Sequence, residues 1–413
     1  MKSWNEVQTP SIDSSISFPP LCLTNSASGK KELIKRKPLY RMYVCGITPY
    51  DATHLGHAAT YLTFDLINRY LTASGSEVRY VQNITDIDDP LLERANRDGV
   101  DWTDLAHQQI DLFRSDMINL RVIPPAHYIG AVDAIPLVTD AIEKLSLKES
   151  IYSVDQDLYF KVHADVQFGQ RSHLSQDKMM EIFAERGGDP TRVGKIDPLD
   201  CLVWMSQRPN EPGWPSPFGT GRPGWHIECT AIAIKYLEPS PSEDALIDIQ
   251  GGGSDLIFPH HEMCSAQAQV LSGKPLASTY VHAGMIGLDG EKMSKSKGNL
   301  VLVSKLVAAG KDQMAIRWAL MKDHYRQDRM WTDELLVIAE SEISALRLCL
   351  AQTDVAPTKD LIEMIVDALS DDLNTQAVIT AVNAWVGRTK SGDTGGDAKS
   401  LVAALDGLLG IKL

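Results

Sequence analysis

A strand, a helix and a second strand follow one another near the start of the chain, and this unit constrains the fold more than any other feature. Residues 40–48, YRMYVCGIT, and 78–86, VRYVQNITD, have the apolar character of buried strands. Between them, Leu62, Leu66 and Tyr70 recur at helical spacing. Such units build parallel sheets, because a crossover must bring the chain back before the second strand begins. We therefore predict an α/β fold.

The rest of the chain divides by its patterning. Further strand candidates lie at 245–250 and 279–288, after a middle section of mixed character. From about residue 315 onward apolar residues recur every three to four positions, which predicts a bundle of helices. The Gly/Pro-rich run 208–225 is too irregular for a helix or strand, so we expect a loop near a site. The predicted units are an N-terminal segment at 1–40, the first half of the α/β sheet domain at 41–125, an inserted segment at 126–195, the second half of that domain at 196–290, a connecting region at 291–320 and a C-terminal helical bundle at 321–413.

Composition excludes a membrane span and a disulfide framework. No apolar run approaches the roughly 18 residues that a span needs, and the first residues lack the regions of a signal peptide. The six cysteines are scattered through 413 residues, as expected for reduced thiols. The net charge of −14 argues against broad nonspecific binding of nucleic acid, although a local basic patch can still bind RNA. We expect a cytoplasmic monomer that binds no membrane.

Two histidines, His54 and His57, follow the first predicted strand in the run HLGH. If a helix begins there, both imidazoles lie on one face of its first turn, where unpaired N–H groups and the helix dipole attract phosphate. Taken alone, such a pair is more often two ordinary surface histidines, and a lysine-rich run is usually a solvated face. Here the run KMSKS at 292–296 accompanies the pair. Its lysines can stabilise triphosphate oxygens as pyrophosphate departs, so the two runs together predict a nucleotide site.

Cys45, Cys229 and the histidine pair His260 and His261 form a candidate metal site. Two thiols and an imidazole suit zinc, and three protein ligands leave a fourth position open for a substrate. These residues lie far apart in sequence, and single cysteines are usually small buried hydrophobes. However, the strand ends of an open parallel sheet converge on one crevice, where distant residues can meet. Physical reasoning does not decide which of the two histidines is the ligand.

With HLGH and KMSKS in this order, each after a predicted strand, the chain resembles the class I aminoacyl-tRNA synthetases. The resemblance implies a Rossmann-like sheet on which ATP, supplied with Mg²⁺, converts an amino acid to its adenylate and releases pyrophosphate. The groups that it implies for the phosphates are His54, His57, Lys292 and Lys295. It also implies that the run GGGSD at 251–255 presents Gly253 and Asp255 to the ribose. Taken alone, that glycine-rich run is more often a plain turn.

More specifically, the runs MYVCG, GWHIEC and GGGSDLIFPHHE are similar to those of the cysteinyl branch of this family. That branch binds the thiolate of substrate cysteine on zinc, so the resemblance implies a single Zn²⁺ held by Cys45, Cys229 and His260. Such a site rejects serine, because a thiol deprotonates readily on the metal and a hydroxyl does not. Cys264 departs from the branch, which often has a glutamate there. We expect Cys264 to pack beside the site; the alternative, a fourth ligand, would displace the substrate thiol.

The runs ITPYDATHLGHA and ERGGDP, residues 185–190, are instead similar to the mycothiol-pathway cysteine ligases, which are paralogues of the cysteinyl branch. The synthetases typically have asparagine at the position of His57, and we expect no anticodon-binding region after the helices of this chain. The resemblance implies transfer of cysteine from its adenylate to the amine of glucosaminyl-inositol, with release of AMP. The partners that it implies are therefore small molecules, namely ATP, cysteine and glucosaminyl-inositol, and not tRNA. The alternatives are a minimal cysteinyl-tRNA synthetase and a non-catalytic paralogue that senses cysteine or nucleotide. Against the sensor stand the retained histidines and lysines.

The same resemblance implies a cradle for the adenylate around the strand ends. Its expected members are Cys45, Gly46, Ile47, Thr48, Thr60, Asn83, Ile84, Thr85, Trp225, Gly253, Ser254, Asp255 and Ile286. Within it, Thr48 and Thr85 are candidates for hydrogen bonds to substrate cysteine, and Trp225 is a candidate for covering it. Strand-end capping and core packing are the alternatives for these three. The sequence identifies neither a general base for the amine nor the residues that bind the inositol.

Overall fold

The computed structural model describes residues 1–50, 53–288, 290–293 and 298–413. The described strands are β1 (Cys22–Asn25), β2 (Lys30–Leu33), β3 (Leu39–Val44), β4 (Glu77–Ile84), β5 (His127–Gly130), β6 (Ile151–Val154), β7 (Asp157–Phe160), β8 (Cys201–Ser206), β9 (Gly221–Pro223), β10 (Ile247–Gly253), β11 (Ala277–Ala283), β12 (Ile286–Leu288), β13 (Glu291–Lys292) and β14 (Arg329–Trp331). The described α-helices are α1 (Leu55–Ala73), α2 (Asp89–Asp98), α3 (Trp102–Asn119), α4 (Ala131–Leu147), α5 (Gln176–Glu185), α6 (Trp225–Leu237), α7 (Glu262–Ser272), α8 (Val303–Ala308), α9 (Gln313–Leu320), α10 (Asp333–Leu350), α11 (Lys359–Ser370), α12 (Thr375–Lys390) and α13 (Ala398–Leu409).

The central sheet has five parallel strands in the order β11, β10, β3, β4, β5. Alternate residues of β3 face opposite sides, so that Met42 and Val44 pack in the cluster that contains α1, while Tyr43 packs in the cluster that contains α6. Because helices cover both faces, the strands are mostly apolar, and apolar residues do not simply alternate with exposed polar ones. The chain builds outward from β3 in both directions, which places a topological switch point between β3 and β10. Ligands bind at such a point in open α/β sheets.

Two predicted strands are shorter in the structure than in the sequence pattern. The first ends at Val44, because the N–H of Gly46 donates to the side-chain oxygen of Asn83 at 2.7 Å and leaves the ladder. The predicted strand 279–288 divides into β11 and β12, which belong to different sheets. At the break, the N–H of Gly284 donates to the carbonyl of Tyr325 at 2.7 Å. Each break therefore occurs at a glycine whose N–H bonds outside the backbone ladder of its own sheet.

The strands β6 to β9 form an antiparallel sheet, here called the hairpin sheet. β5 falls within the range 126–195 that the sequence assigned to an insertion, yet it pairs with β4 as an edge strand of the central sheet. The run 208–225, expected to be a loop, contains β9, and Trp214 pairs with Gly221. The hairpin sheet thus extends to Pro223 and leads directly into α6.

The chain continues after the sheet domain into helices α10 to α13, where the predicted spacing of apolar residues gives a buried core. A buried ion-pair cluster fixes α9 to α1: Asp65 pairs with Arg69 at 2.7 Å and also with Arg317. None of the described helices is both long and apolar enough to cross a membrane. The α/β architecture with an inserted segment and a C-terminal helical bundle agrees with the predicted fold class.

Candidate active site

A cavity of about 530 Å³ lies at the switch point, at the C-terminal ends of β3, β10 and β11. Ten of the residues that the sequence placed around the adenylate and its phosphates line it: Cys45, Gly46, Ile47, Thr48, His54, His57, Thr60, Gly253, Asp255 and Ile286. The other expected residues outside KMSKS do not line this cavity, and they are Asn83, Ile84, Thr85, Trp225 and Ser254. The parallel sheet therefore gathers most of the candidate residues at a single edge.

His54 and His57 stand at the start of α1. His54 is the N-cap residue, and its Nδ1 accepts a hydrogen bond from the N–H of Gly56 at 3.1 Å. The two imidazole rings stack with their centroids 3.7 Å apart. A Cβ atom at Gly56 would lie 2.8 Å from His54 Cε1, so a side chain there would displace the ring. The fold thus presents two imidazoles and the positive end of a helix dipole to one cavity.

The segments on either side of the KMSKS run are attached near the same helix start. Lys292 lies on β13, which pairs with β12, and the next residue, Met293, lines the cavity. After the run, the N–H of Leu55 donates to the carbonyl of Val301 at 3.0 Å. Lys295 lies outside the described residues. The described backbone therefore brings both ends of the run to the cavity.

Cys45, Cys229 and His260 come together as a candidate metal group, with one ligand atom of each lying within 4.8 Å of the others. Cys45 directly follows β3, Cys229 lies on α6, and His260 lies in the helical turn Ile257–His261 that precedes α7. In a tetrahedral zinc site, ligand atoms are about 3.5 Å apart, as metal distances of roughly 2.0–2.3 Å require. The two sulfurs and one nitrogen are therefore a donor set whose composition and spacing fit zinc.

Burial and mutual charge polarise these three side chains. The hydrogen bond with Cys45 holds the pKa of the Cys229 thiol well below its usual range, against the effect of burial. Burial raises the pKa of Cys45, and the neighbouring Cys229 adds to the effect. Burial opposes the charged form of His260, but its interactions with Cys264 and Cys229 outweigh the effect of burial and raise the pKa of His260 well above the usual value. The group thus favours a thiolate at Cys229 beside a positive charge.

Cys264 is buried next to this group without belonging to it. Its thiol donates to the carbonyl of His226 at 3.3 Å, and its Sγ lies 3.8 Å from His260 Nε2. A thiol at this position contacts the imidazole and leaves the cluster of Cys45, Cys229 and His260 with three ligands.

A buried row of hydrogen-bonding groups behind Cys45 was missed by the sequence reasoning. His261 Nε2 lies 3.3 Å from Cys45 Sγ, and His261 Nδ1 lies 2.7 Å from His282 Nε2. His282 Nδ1 in turn lies 2.8 Å from Ser26 Oγ, and Gln250 donates to Cys45 Sγ at 3.3 Å. The available signal was the occurrence of polar residues within strands that are otherwise buried, since Gln250 and His282 lie on β10 and β11. Such residues need partners inside the protein.

A buried carboxylate, Glu228, was also missed. It accepts hydrogen bonds from Asn83 Nδ2 at 2.9 Å and from Thr85 Oγ1 at 3.2 Å. Burial raises the pKa of Glu228 well above the usual value.

The backbone that follows β3 lies very close to β4. A Cβ atom at Gly46 would lie 1.8 Å from the carbonyl oxygen of Asn83. These contacts fix the ends of the two strands against each other.

Trp225 begins α6 and faces a second cavity, of about 260 Å³, which His226 also lines. Its side chain is 36% exposed. His226 Nδ1 lies 2.9 Å from His260 Nδ1, so the second cavity borders the metal group.

Comparison with known sequences agrees with this geometry. The family model for the "tRNA synthetases class I (C) catalytic domain" matches residues 32–341. A Kribbella flavida protein named "L-cysteine:1D-myo-inositol 2-amino-2-deoxy-alpha-D-glucopyranoside ligase" is 56% identical over 378 residues, which cover 90% of each chain. A Nakamurella multipartita protein of the same name is 53% identical over 418 residues, which cover 100% of each chain.

Solved structures show the same fold at low sequence identity. The methionyl-tRNA synthetase of Mycobacterium tuberculosis in complex with methionyl-adenylate superimposes with a TM-score of 0.63 at 16% identity, over 90% of each chain. A putative arginyl-tRNA synthetase from Campylobacter jejuni gives a TM-score of 0.57 at 12% identity, over 92% of this chain and 93% of the other. The predicted fold class and the predicted ligase resemblance are both confirmed. The chain belongs to the class I (C) tRNA synthetase family, in the branch of the L-cysteine:1D-myo-inositol 2-amino-2-deoxy-alpha-D-glucopyranoside ligases.

Proposed function

We propose that this protein is an ATP-dependent ligase of mycothiol biosynthesis, which activates L-cysteine as cysteinyl-adenylate and joins it to the amine of glucosaminyl-inositol. The observation that carries the proposal is that two groups meet at one cavity. The start of α1, with His54 and His57, suits phosphate, and the group around Cys45 suits a thiol-binding metal. One site can then hold both ends of an aminoacylation. The relatives' names supply the acceptor, a 2-amino-2-deoxyglucopyranoside of myo-inositol.

In the first half-reaction, a carboxylate oxygen of cysteine attacks the α-phosphorus of ATP, supplied with Mg²⁺, and the bond to pyrophosphate breaks. His54 and His57 donate to phosphate oxygens from the helix start, where the dipole also favours negative charge. Lys292 and Lys295 stabilise the charge that develops on the departing pyrophosphate. Because this charge is greatest in the transition state, the lysines act on the rate more than on binding.

The ribose lies against the loop after β10. A Cβ at Gly253 would come within 2.5 Å of Asp255 Oδ1, so glycine lets the carboxylate turn back across the main chain. Thr60, whose hydroxyl donates to the carbonyl of Gly56 at 3.1 Å, completes this side of the cavity. Asp255 accepts from a ribose hydroxyl in this arrangement.

Cys45, Cys229 and His260 would hold Zn²⁺ at the opposite end of the cavity. When bound, the metal would favour a thiolate over a hydroxyl and so would distinguish cysteine from serine. Thr48, whose hydroxyl donates to Asp88 Oδ2 at 2.6 Å, stands between the thiol and phosphate ends and orients the substrate backbone. Trp225 covers the metal end from the side of the second cavity.

In the second half-reaction, the lone pair of the neutral acceptor amine attacks the carbonyl carbon of cysteinyl-adenylate. The carbon–oxygen bond to the phosphate breaks, AMP leaves with the bonding electrons, and the new amide nitrogen releases a proton. We also propose that the protein is a cytoplasmic monomer. In support of the location, all six cysteines are free thiols, as is usual for proteins of a reducing compartment.

The deciding experiment supplies purified protein with ATP and radiolabelled cysteine, and offers either glucosaminyl-inositol or total tRNA. We expect a stable amide with glucosaminyl-inositol and release of AMP, since an amide resists mild alkali. The second candidate is a minimal cysteinyl-tRNA synthetase, which the tRNA synthetase domain match favours. An alkali-labile ester on tRNA, without product from the amino sugar, would establish that function instead.

A further inference from the structure

Of the residues assigned above to cysteine activation, only Trp225 lines the second cavity, of about 260 Å³. It lies between the hairpin sheet and the run ERGGDP, whose residues Arg186, Gly187, Gly188 and Asp189 form one wall. The first cavity accommodates ATP and cysteine, and the reaction requires a third substrate. The second cavity borders the metal group through Trp225 and His226. Its position therefore matches that of an acceptor approaching the adenylate.

One wall of this cavity is aromatic. The Trp225 ring lies 3.4 Å from the position that a Cβ on Gly187 would take, and Gly187 has a φ of +83°, which favours glycine. The main chain therefore packs directly against one part of the indole, while 36% of the side chain remains exposed. An exposed indole face provides an apolar surface for the C–H side of a sugar ring. The edge of the indole, with its N–H, stays available for polar contacts.

The other walls carry ion pairs. Within the described residues, three cationic side chains that line or flank the cavity pair with carboxylates, and these pairs are Arg192 with Asp157 at 2.6 Å, Arg208 with Asp157 at 2.6 Å and Lys195 with Asp189 at 2.9 Å. Arg222 likewise pairs with Asp89. Paired ions hold their donors and acceptors in fixed directions. Such a lining suits a molecule with many hydroxyl groups.

Arg222 supplies the strongest indication of a ligand. The residue is only 4% exposed and lines the cavity from β9. Its Nη2 is bound by Asp89 and Glu211, but its Nε is buried and has no hydrogen-bond partner among the described residues. A buried N–H without a partner costs free energy, which a ligand oxygen would recover.

We propose that this cavity binds the sugar and inositol rings of the acceptor, with Arg222 Nε donating to a hydroxyl oxygen and Asp189 accepting from a second hydroxyl. The inference rests on the proposed function, because it places the acceptor of that reaction. Arg186 donates to the main-chain carbonyl of Asp255, which joins this wall to the ribose loop of the first cavity. An acceptor amine held beside Trp225 then faces the adenylate carbonyl.

The test measures two activities of the full-length protein: cysteine-dependent exchange of pyrophosphate into ATP, and amide formation at varied glucosaminyl-inositol. Arg222→Lys keeps a cation for Asp89 and Glu211 but removes the Nε donor, and Asp189→Asn removes one charged acceptor. Each should raise the KM for glucosaminyl-inositol about tenfold or more, the effect of losing a hydrogen bond to a charged group. The KM for cysteine in the exchange reaction should change less than about twofold.

The matched control is Asp155→Asn. Its carboxylate pairs with Arg192 at 3.2 Å, but the residue is exposed and does not line the cavity. Its KM for glucosaminyl-inositol should equal that of the unmodified protein. An effect of the same size in this variant would mean that the charge network acts only on structure, and would overturn the inference.

A second measurement uses the unmodified protein and does not depend on the folding of variants. Amide hydrogen exchange over residues 185–190 is followed with a nonreactive sulfamoyl analogue of cysteinyl-adenylate, with and without glucosaminyl-inositol. We expect added protection of this segment by the amino sugar. Amide formation by the unmodified protein, with unchanged acceptor KM in both variants and no added protection, would overturn the inference alone. Cysteine activation without any amide product would instead overturn the proposed function, and this inference with it.

Discussion

His261 Nε2 lies 3.3 Å from Cys45 Sγ, and both side chains are buried. Burial and the neighbouring imidazoles lower the pKa of His261 well below the usual value, so this ring is neutral at pH 7. Its other nitrogen is fixed by His282 at 2.7 Å. The His261 ring, held in place by His282, therefore orients the Cys45 side chain. The sulfur of Cys45 remains beside the ligand atoms of Cys229 and His260.

His261→Asn should weaken zinc binding by about 10- to 100-fold, the usual effect of removing a partner that orients a metal ligand. Competition with a chromophoric chelator measures this affinity directly. His173→Asn is the control, because His173 is exposed and its contact is with the carbonyl of Ala27. Equal zinc affinity in the His261 variant and the unmodified protein would show that Cys45 needs no such support.

The protein as isolated should contain about one zinc per chain, and Cys229→Ala should lose it, because two ligands hold the metal poorly. The same variant should lose cysteine-dependent exchange of pyrophosphate into ATP. Cys349→Ala, which changes a buried thiol in α10, is the control for a lost cysteine. Cys264→Ser should retain most of the metal. Full activity in a zinc-free preparation would contradict the role of the site.

Pyrophosphate exchange should favour cysteine over serine by about 10⁴-fold or more, the range seen when a site's specific polar contact is left unmade. Removal of zinc by a chelator should abolish exchange with cysteine, because the metal supplies that contact. Comparable rates with the two amino acids would mean that the metal is structural and that the thiol binds elsewhere.

Lys292→Ala and Lys295→Ala should each lower the rate of adenylation by about 10²- to 10³-fold, as when one transition-state donor is removed. The KM for cysteine should change far less, because these charges meet the phosphates most closely in the transition state. Pre-steady-state formation of the adenylate separates the two quantities. Lys305→Ala, on the exposed surface of α8, provides the control. A change confined to the cysteine KM would argue against this role.

Asp88 should make stability depend on pH. Burial raises its pKa to about 6, above the usual value near 3.9 in an unfolded chain. The folded state therefore binds the proton more tightly, so this contribution is fully present below about pH 4 and is lost as pH rises through about 6. The difference amounts to about 3 kcal/mol.

Asp88→Asn removes this titration. Its one side-chain oxygen can still accept from the N–H of Leu91, and its amide nitrogen can donate to the Thr48 hydroxyl in place of the lost acceptor. Relative to the unmodified protein, the variant should become more stable between pH 4 and pH 8. Urea unfolding at several pH values measures the difference in the free energy of unfolding. Parallel pH profiles for the two proteins would show that Asp88 keeps an ordinary pKa in the folded state.

The sequence alone was enough to place Cys45 at the end of a parallel strand. Cys45, Cys229 and His260 are up to 215 positions apart, and the structure brings them together from the end of β3, from α6 and from the turn before α7. Spacing did not reveal Glu228, nor that His261 contacts Cys45 from behind, because a buried polar side chain is identified by its partners, and these come from other elements. The role of Lys295 stays a prediction, since it lies outside the described residues.

Gly46 limits how this site can change over generations. Any side chain there would place its first carbon 1.8 Å from the carbonyl oxygen of Asn83 and would force β3 and β4 apart. That movement would shift Cys45 on one side and Thr48 on the other. A mutation at this position therefore has no route to adjusting amino-acid recognition while sparing nucleotide recognition. Because Gly46 has no Cβ atom and cannot gain one, recognition of the amino acid and recognition of the nucleotide are constrained together at this position.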